Sequence, residues 1–266
     1  MQIGAGLPLH DFKDFSKLPY FEGLDVQLQL FKYKEVEEFL NSNALAELIN
    51  HNINIISIHA PGITFQRGND NKGLLDDLSS IKTFQEGHFK FTSHPQKRGI
   101  PSPQDLGELS DYCQKMGYKL CWEMFGRKRG DWCRLPTNIK DLTEKYLGFG
   151  FTFDTSHADD PCWMQNPMWT FLAPKVDIIH LSAKPKVPLQ SDKYPSPHGE
   201  LIIGEIREHC PIYLADPVYD IWDFLHIVRE SKWDGMIFLE YMPNFDNCIK
   251  SDVKALREFF NEKELE

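Results

Sequence analysis

The stretch GFTFDTSHADD, Gly150 to Asp160, begins with β-formers and ends in potential ligands. Phe151, Thr152 and Phe153 favour a strand, and Asp154, Ser156 and His157 follow where that strand would end. The same pairing of an apolar run with a carboxylate or imidazole recurs along the chain. His59 comes late in NIISIHA, His94 ends FKFTSH, Glu123 comes late in KLCWEMF, His180 in DIIHLSA and Glu240 in MIFLEYM. Each alone is weak, because a single His or Glu near a strand end is more often a hydrogen-bonded structural residue. Together they offer three carboxylates and four imidazoles to any fold that gathers strand ends.

Gathering them constrains the chemistry. Two like charges about 4 Å apart repel by roughly 4 kcal/mol at an effective dielectric near 20. Glu123, Asp154 and Glu240 in one place would therefore hold protons or surround a cation. Imidazole beside oxygen ligands favours Mn²⁺ or Zn²⁺, with Co²⁺ and Fe²⁺ as further options, over Ca²⁺. We expect one divalent metal held by Glu123, Asp154, His180 and Glu240. His59, His157 and His198 would surround it, either holding substrate or binding a second metal near His157 and His198.

The elements that must position these groups are legible in outline. Eight apolar, β-rich runs occur, at Gln2–Gly6, Asp25–Phe31, Asn54–Ala60, Phe89–His94, Lys119–Phe125, Gly150–Ser156, Asp177–Ala183 and Met236–Met242. Most are continuous rather than alternating, as in parallel strands covered on both faces. Segments with helical spacing lie between them, such as YKEVEEFLNSNALAELINH. PSPQDLGELSDYCQKMG carries a Ser102 cap, Pro103 in its first turn and Gly117 at its end. This alternation predicts an α/β fold with one domain over 1–266, a single (β/α)₈ TIM barrel, whose chemistry sits at the C-terminal ends of the strands. A doubly wound open sheet is the rival, but GAGLPLH is a poor phosphate loop. The proline-rich stretch 184–217 reads as a long loop over the active-site face.

Length and composition agree with one large core: 266 residues, 41% hydrophobic and 13% aromatic. A net charge of −10 argues against a general nucleic-acid binder. The six cysteines form no C-x-x-C pair, and no basic segment leading into an apolar run opens the chain. Reduced thiols, a cytoplasmic location and no membrane partner are expected.

The motifs SIHAPG, CWEMFG, FDTSHA, IIHLSA and IFLEYM, in this order and spacing, resemble the xylose-isomerase-like superfamily of barrels over essentially the whole chain. That superfamily contains sugar epimerases, hydroxypyruvate isomerases, inosose dehydratases and the abasic-site endonuclease called endonuclease IV. The resemblance implies that Glu123, Asp154, His180 and Glu240 are the shared metal ligands, and that Glu123 and Glu240 act as acid and base. It makes His157 a substrate contact in the epimerase manner or a further zinc ligand in the endonuclease manner. His59 matches another zinc ligand of the endonuclease. The chain departs from both groups. HPQKRG puts Arg98 where the endonuclease has a zinc-binding histidine, and Ser196 stands where it has an aspartate before the histidine matching His198. Arg129 replaces a glutamate of the epimerases, and Lys186 replaces an arginine.

The loops after the strands are basic: Lys97, Arg98, Arg127, Lys128, Arg129, Arg134, Lys184 and Lys186 would ring one mouth. Any single one reads as a solvated surface charge. Collectively they point to a small anionic substrate, most simply a phosphorylated or carboxylated sugar, with Arg129, Lys186, His59, His157 and His198 as substrate contacts. DNA is the weaker candidate anion for a chain this acidic. Trp163 and Trp169 read as core or as a sugar-site wall, and His51, His209 and His226 as structural groups away from the mouth.

The expected function is thus a metal-dependent isomerase or epimerase of a sugar or sugar phosphate, with Glu123 and Glu240 moving a proton next to a carbonyl. A metal-dependent phosphodiesterase of the endonuclease IV type is the alternative. A barrel that binds metal and ligand without catalysis is the second.

Overall fold

A computed structural model describes residues 1–9, 14–65, 70–81, 89–95, 101–124, 135–158, 160–195 and 201–261. In chain order the elements are β1 (Gln2–Pro8), β2 (Asp25–Gln29), α1 (Tyr33–Leu40), α2 (Ala44–Asn50), β3 (Asn54–His59), α3 (Asn71–Ser79), β4 (Phe89–Ser93), α4 (Pro103–Met116), β5 (Tyr118–Glu123), α5 (Pro136–Lys145) and β6 (Phe149–Asp154). They continue with α6 (Asn166–Leu172), β7 (Val176–Leu181), β8 (Leu189–Pro195), β9 (Leu201–Ile206), α7 (Ile221–Glu230), β10 (Met236–Leu239) and α8 (Ile249–Asn261). Eight parallel strands close into a barrel in the order β1-β10-β7-β6-β5-β4-β3-β2. All eight runs read from the sequence are its strands, and the fold is the (β/α)₈ barrel.

Outward-facing strand residues such as Leu28, Ile58, Phe91, Trp122, Phe153 and Leu239 are fully buried in one core with Phe39, Leu48, Leu75, Leu109, Ile139, Phe224 and Leu256 of the helices. Burying each such side chain contributes about 1.5–3 kcal/mol. Trp169 belongs here. Its ring packs edge-on against Phe153, Phe224 and Trp233 at 5.8, 5.2 and 5.9 Å, and its Nε1 donates to Ser231 Oγ. It is a core residue rather than a sugar-site wall.

Inside the barrel the apolar content is small. Ile56, Cys121, Ile178 and Phe238 form a separate plug. Near it Gln27 Nε2 donates to Ser57 Oγ and Thr92 Oγ1, both at 3.0 Å, and Thr92 pairs with Thr152 at 3.0 Å. Strand side chains alternate in direction, so the residues two further along share the interior face. They are Gln29, His59, His94, Glu123, Asp154, His180 and Glu240.

Local chemistry explains the helix boundaries. Ser102 and Asp105 form a reciprocal capping box at the start of α4, and Gly117 ends it with φ 71°. The single helical segment expected over 33–51 is two helices. Asn41, Ser42 and Asn43 intervene, and Ser42 Oγ accepts the Ala44 amide; such side chains compete with the helix for its own backbone groups. The stretch 184–217, expected as a long loop, contains the antiparallel hairpin β8–β9. Among the described residues no helix is long and apolar enough to cross a membrane.

Candidate metal centre

His59, Glu123 and Asp154 are the last residues of β3, β5 and β6, His180 is next to last in β7, and Glu240 follows β10 directly. Parallel registry sets Asp154 beside His180 and Gln29 beside His59. The barrel thus converts five separated sequence motifs into one chamber. All five residues are at most 5% exposed.

Glu123 is the hub. Its Oε2 lies 2.9 Å from His59 Nε2 and 2.7 Å from His94 Nε2. Its Oε1 lies 3.2 Å from His180 Nδ1 and 3.7 Å from His157 Nδ1. His180 Nδ1 also lies 3.0 Å from Glu240 Oε2, so one imidazole joins both glutamates. Asp154 Oδ1 accepts the backbone amides of Ser156 and His157 at 2.7 and 3.2 Å, which fixes the turn after β6. That leaves Asp154 Oδ2 facing the chamber, 3.0 Å from His157 Nδ1. The turn DTSH therefore aims both of its ligands inward.

The charges are tuned by the enclosure. Burial pushes Glu123 up, but the imidazoles of His94 and His180 outweigh it and hold the carboxylate well below the usual range. Burial likewise raises Glu240, and His180 overrides it and brings it down. His180 is lowered by burial yet raised well above an ordinary histidine by Glu240 and Glu123. Asp154 is raised well above an ordinary aspartate by burial, reinforced by the charges of Glu123 and Glu240. Burial lowers His94 and takes His157 down to about 4. Without a cation the enclosure favours a proton on Asp154 and on His180, beside the two glutamates.

Ligand atoms of Glu123, Asp154, His180 and Glu240 all lie within 4.8 Å of one another. Asp154 Oδ2 and Glu240 Oε2 are buried, and each faces an imidazole nitrogen at 3.0 Å. Carboxylate oxygens turned into one buried chamber fit a ligand of positive charge. Three further groups share members with this one and could each hold an ion: His59 with His94 and Glu123, Asp154 with His157 and His209, and His59 with His180 and Glu240.

His209 corrects the sequence reading, which set it away from the mouth. Its backbone adopts φ 57°, its amide donates to Ser156 Oγ at 3.0 Å, and its ring centroid lies 5.4 Å from that of His157. The bridge between Ala183 and Cys210 pulls it in after the hairpin. No strand precedes it and no spacing relates it to the other ligands, so the sequence carries no signal for it. His51 caps the end of α2, and His226 lies on α7 against Phe259. Lys186 is exposed and pairs with Asp216 at 2.8 Å. Arg129 and His198 lie outside the described residues, as do Lys97, Arg98, Arg127, Lys128 and Arg134.

No family model matches the sequence, and no curated protein is similar to it in sequence. Solved structures do share its architecture. A D-tagatose 3-epimerase-like protein superposes over 99% of this chain and 100% of its own, with a TM-score of 0.62 at 15% identity. The probable 3-DHS dehydratase of Bacillus anthracis covers 97% of this chain and 99% of its own, with a TM-score of 0.59 at 14% identity. An AP endonuclease of family 2 from Brucella melitensis covers 97% of this chain and 98% of its own, with a TM-score of 0.60 at 10% identity. With eight parallel strands closed into a barrel and superposition over nearly its whole length, the chain has the fold of the xylose-isomerase-like barrels.

Proposed function

We propose that this chain is a metal-dependent isomerase or epimerase of a sugar or sugar phosphate, acting by proton transfer at a carbon next to a carbonyl. The observation that carries the reading is the convergence of Glu123 and Glu240 on His180 Nδ1, at 3.2 and 3.0 Å, from strands that β6 and β7 separate in the barrel. Carboxylates on two sides of a bound carbonyl compound can take a proton from one face and return it to the other. The C–H electron pair moves toward the carbonyl, whose oxygen takes up the charge, while one glutamate gains the proton. Return to the same carbon from the opposite side inverts it, and return to the neighbouring carbon isomerises the sugar. Both glutamates are held ionised and are therefore weak bases, so the C–H they attack must be an acidified one. When bound, a divalent ion held by Glu123, Asp154, His180 and Glu240 supplies charge that polarises the substrate oxygens. His157 and Lys186 orient the substrate, and the basic loops favour an anionic one. Structural neighbours described as D-tagatose, D-psicose and 3-keto-D-glucoside epimerases support this reading.

The test uses metal-loaded protein, a panel of ketoses paired with their phosphates, and deuterated water. Deuterium should enter the carbon beside the carbonyl, faster in the phosphorylated member of a pair. Equal rates within pairs would count against the basic loops, and no exchange across the panel would leave a ligand-binding barrel.

The groups His59–His94–Glu123 and Asp154–His157–His209 favour a second reading, a multi-metal phosphodiesterase acting on abasic DNA. One structural neighbour is described as an AP endonuclease. Elemental analysis separates the two: one ion per chain favours the isomerase, and three with cleavage of an abasic duplex favour the nuclease.

A further inference from the structure

We propose that Gly6 and Gln29 act together as a positioning device that decides which oxygen of Glu240 faces the metal chamber, and so sets its affinity for a divalent ion. The inference rests on the reading of Glu240 as a metal ligand. Gln29, the last residue of β2, is buried, and its Nε2 donates to Glu240 Oε1 at 2.7 Å. A carboxylate only accepts, so the amide must present its NH₂ group. Between β2 and β10 in the barrel lies β1, so the glutamine has to reach across a strand.

It crosses at Gly6. A Cβ there would lie 2.8 Å from Gln29 Nε2, closer than such atoms pack, and 3.3 Å from its Cδ, tighter than most such contacts. Gly6 is not among the positive-φ glycines, which are Gly23 and Gly117. Its backbone suits any residue, and what requires glycine there is the space the amide occupies. With Oε1 engaged, Glu240 is left with Oε2, the oxygen that lies 3.0 Å from His180 Nδ1. The terminal torsion of a glutamate is otherwise broad and nearly two-fold, so a fixed partner removes freedom that ion binding would have to remove. A neutral amide suits this task. Lysine or arginine would orient the carboxylate equally well but would also supply the charge an ion is needed for.

The experiment measures Zn²⁺ affinity of the full chain by competition with a chromophoric chelator, alongside thermal unfolding of the metal-free protein. The variants are Gln29→Met, Gly6→Ala, their combination, and Glu240→Gln as the control on the underlying reading. Gln29→Met and Gly6→Ala should each weaken Zn²⁺ by about 10- to 100-fold, the range that outer partners of metal ligands control. The double variant should be no weaker than the weaker single, because both changes remove one hydrogen bond. If Gln29→Met unfolds, Gln29→Asn replaces it under the same expectation, since its amide falls a methylene short. Zn²⁺ affinity within about twofold of the parent in the Gln29 variant, with loss in Glu240→Gln, would overturn the device and leave the metal centre standing. Unchanged affinity in Glu240→Gln would remove the reading beneath it. Multiplying losses in the double variant would overturn the role given to Gly6.

Discussion

The two ends of the barrel solve the same electrostatic problem in opposite ways. At the N-terminal end Asp177 is clamped by Lys119 Nζ at 2.9 Å and Lys90 Nζ at 3.3 Å. At the C-terminal end the ionic partners of Glu123, Asp154 and Glu240 are all histidines among the described residues. A lysine is a permanent counter-charge at neutral pH and closes its site. A histidine can give its proton up, so the upper chamber can exchange protons for a metal. Each end also uses a glycine to let a side chain cross a strand. Gly150 on β6 makes room for Asp177, whose Oδ2 a Cβ there would approach to 2.4 Å, as Gly6 makes room for Gln29. One crossing completes a fixed ion pair, and the other leaves an oxygen unspent.

The strongest way to break that contrast is Glu240→Gln. It removes one of the two carboxylates that hold His180 charged. Turnover should vanish, and Zn²⁺ or Mn²⁺ affinity should fall by at least about 100-fold, beyond what outer-shell partners control. Equilibrium dialysis with elemental analysis reads the second effect. A fully active, metal-loaded variant would make the upper end as closed as the lower.

Titration sharpens the contrast next. Asp154 and His180 both bind protons more tightly in the folded chamber than in the unfolded chain. Their contribution to metal-free stability is therefore full at low pH and is lost as pH rises through their folded values. Metal affinity should climb over the same rise, with protons released to buffer, as calorimetry in buffers of different ionisation heat would record. His157 works the other way. Burial lowers it from 6.5 to about 4, so its contribution is present above 6.5 and is lost as pH falls toward 4. Urea unfolding at pH 7 and pH 4.5 should differ by up to roughly 3 kcal/mol from this residue, at 1.36 kcal/mol per pK unit. The His157→Gln variant should show correspondingly less.

The division between what was and was not legible in the sequence follows the same two ends. Glu123, Asp154, His180 and Glu240 could be read because each closes a continuous apolar run, and a parallel barrel sends every such end to one face. Gln29 closes a run in the same way, but an amide carries no charge, so nothing in the sequence marks it. His209 is carried by no strand. It reaches the mouth because a hairpin and the bridge of Cys210 to Ala183 return the chain there, a long-range pairing with no local pattern. The break between α1 and α2 was visible in Asn41, Ser42 and Asn43, yet the apolar spacing runs through it and masks the caps. The lower clamp of Asp177, Lys90 and Lys119 reads in sequence as ordinary polar residues at strand starts.

Paired glycine substitutions give a smaller but cleaner effect. Gly150→Ala would set a methyl 2.4 Å from Asp177 Oδ2 and 2.7 Å from Cys121 Sγ. Such overpacking should lower stability by about 1–3 kcal/mol while leaving Zn²⁺ affinity unchanged, because the disturbed pair is already neutralised. Denaturant melts together with chelator competition measure both quantities. Loss of metal affinity in this variant would mean that the two ends are mechanically coupled.

The smallest effect concerns Lys186, whose side chain and that of its partner Asp216 are 57% and 68% exposed. A pair this solvated contributes between about 0 and 1 kcal/mol, so Lys186→Ala should leave stability within about 0.5 kcal/mol of the parent. The substrate role proposed for it makes a sharper prediction. An anionic sugar must draw the ammonium away from Asp216, and the lost pair is worth at most roughly fivefold in binding. Lys186→Ala should therefore raise KM for a phosphorylated sugar, and Asp216→Asn should lower it by up to about fivefold. Neither should change KM for the neutral partner. Opposite shifts confined to the anionic substrate would place a permanent cation at the open end of the barrel. There it would grip substrate rather than neutralise ligands, which is the one arrangement in which a lysine at the mouth keeps the chamber open. Parallel shifts, or shifts with both substrates, would make the pair surface structure only.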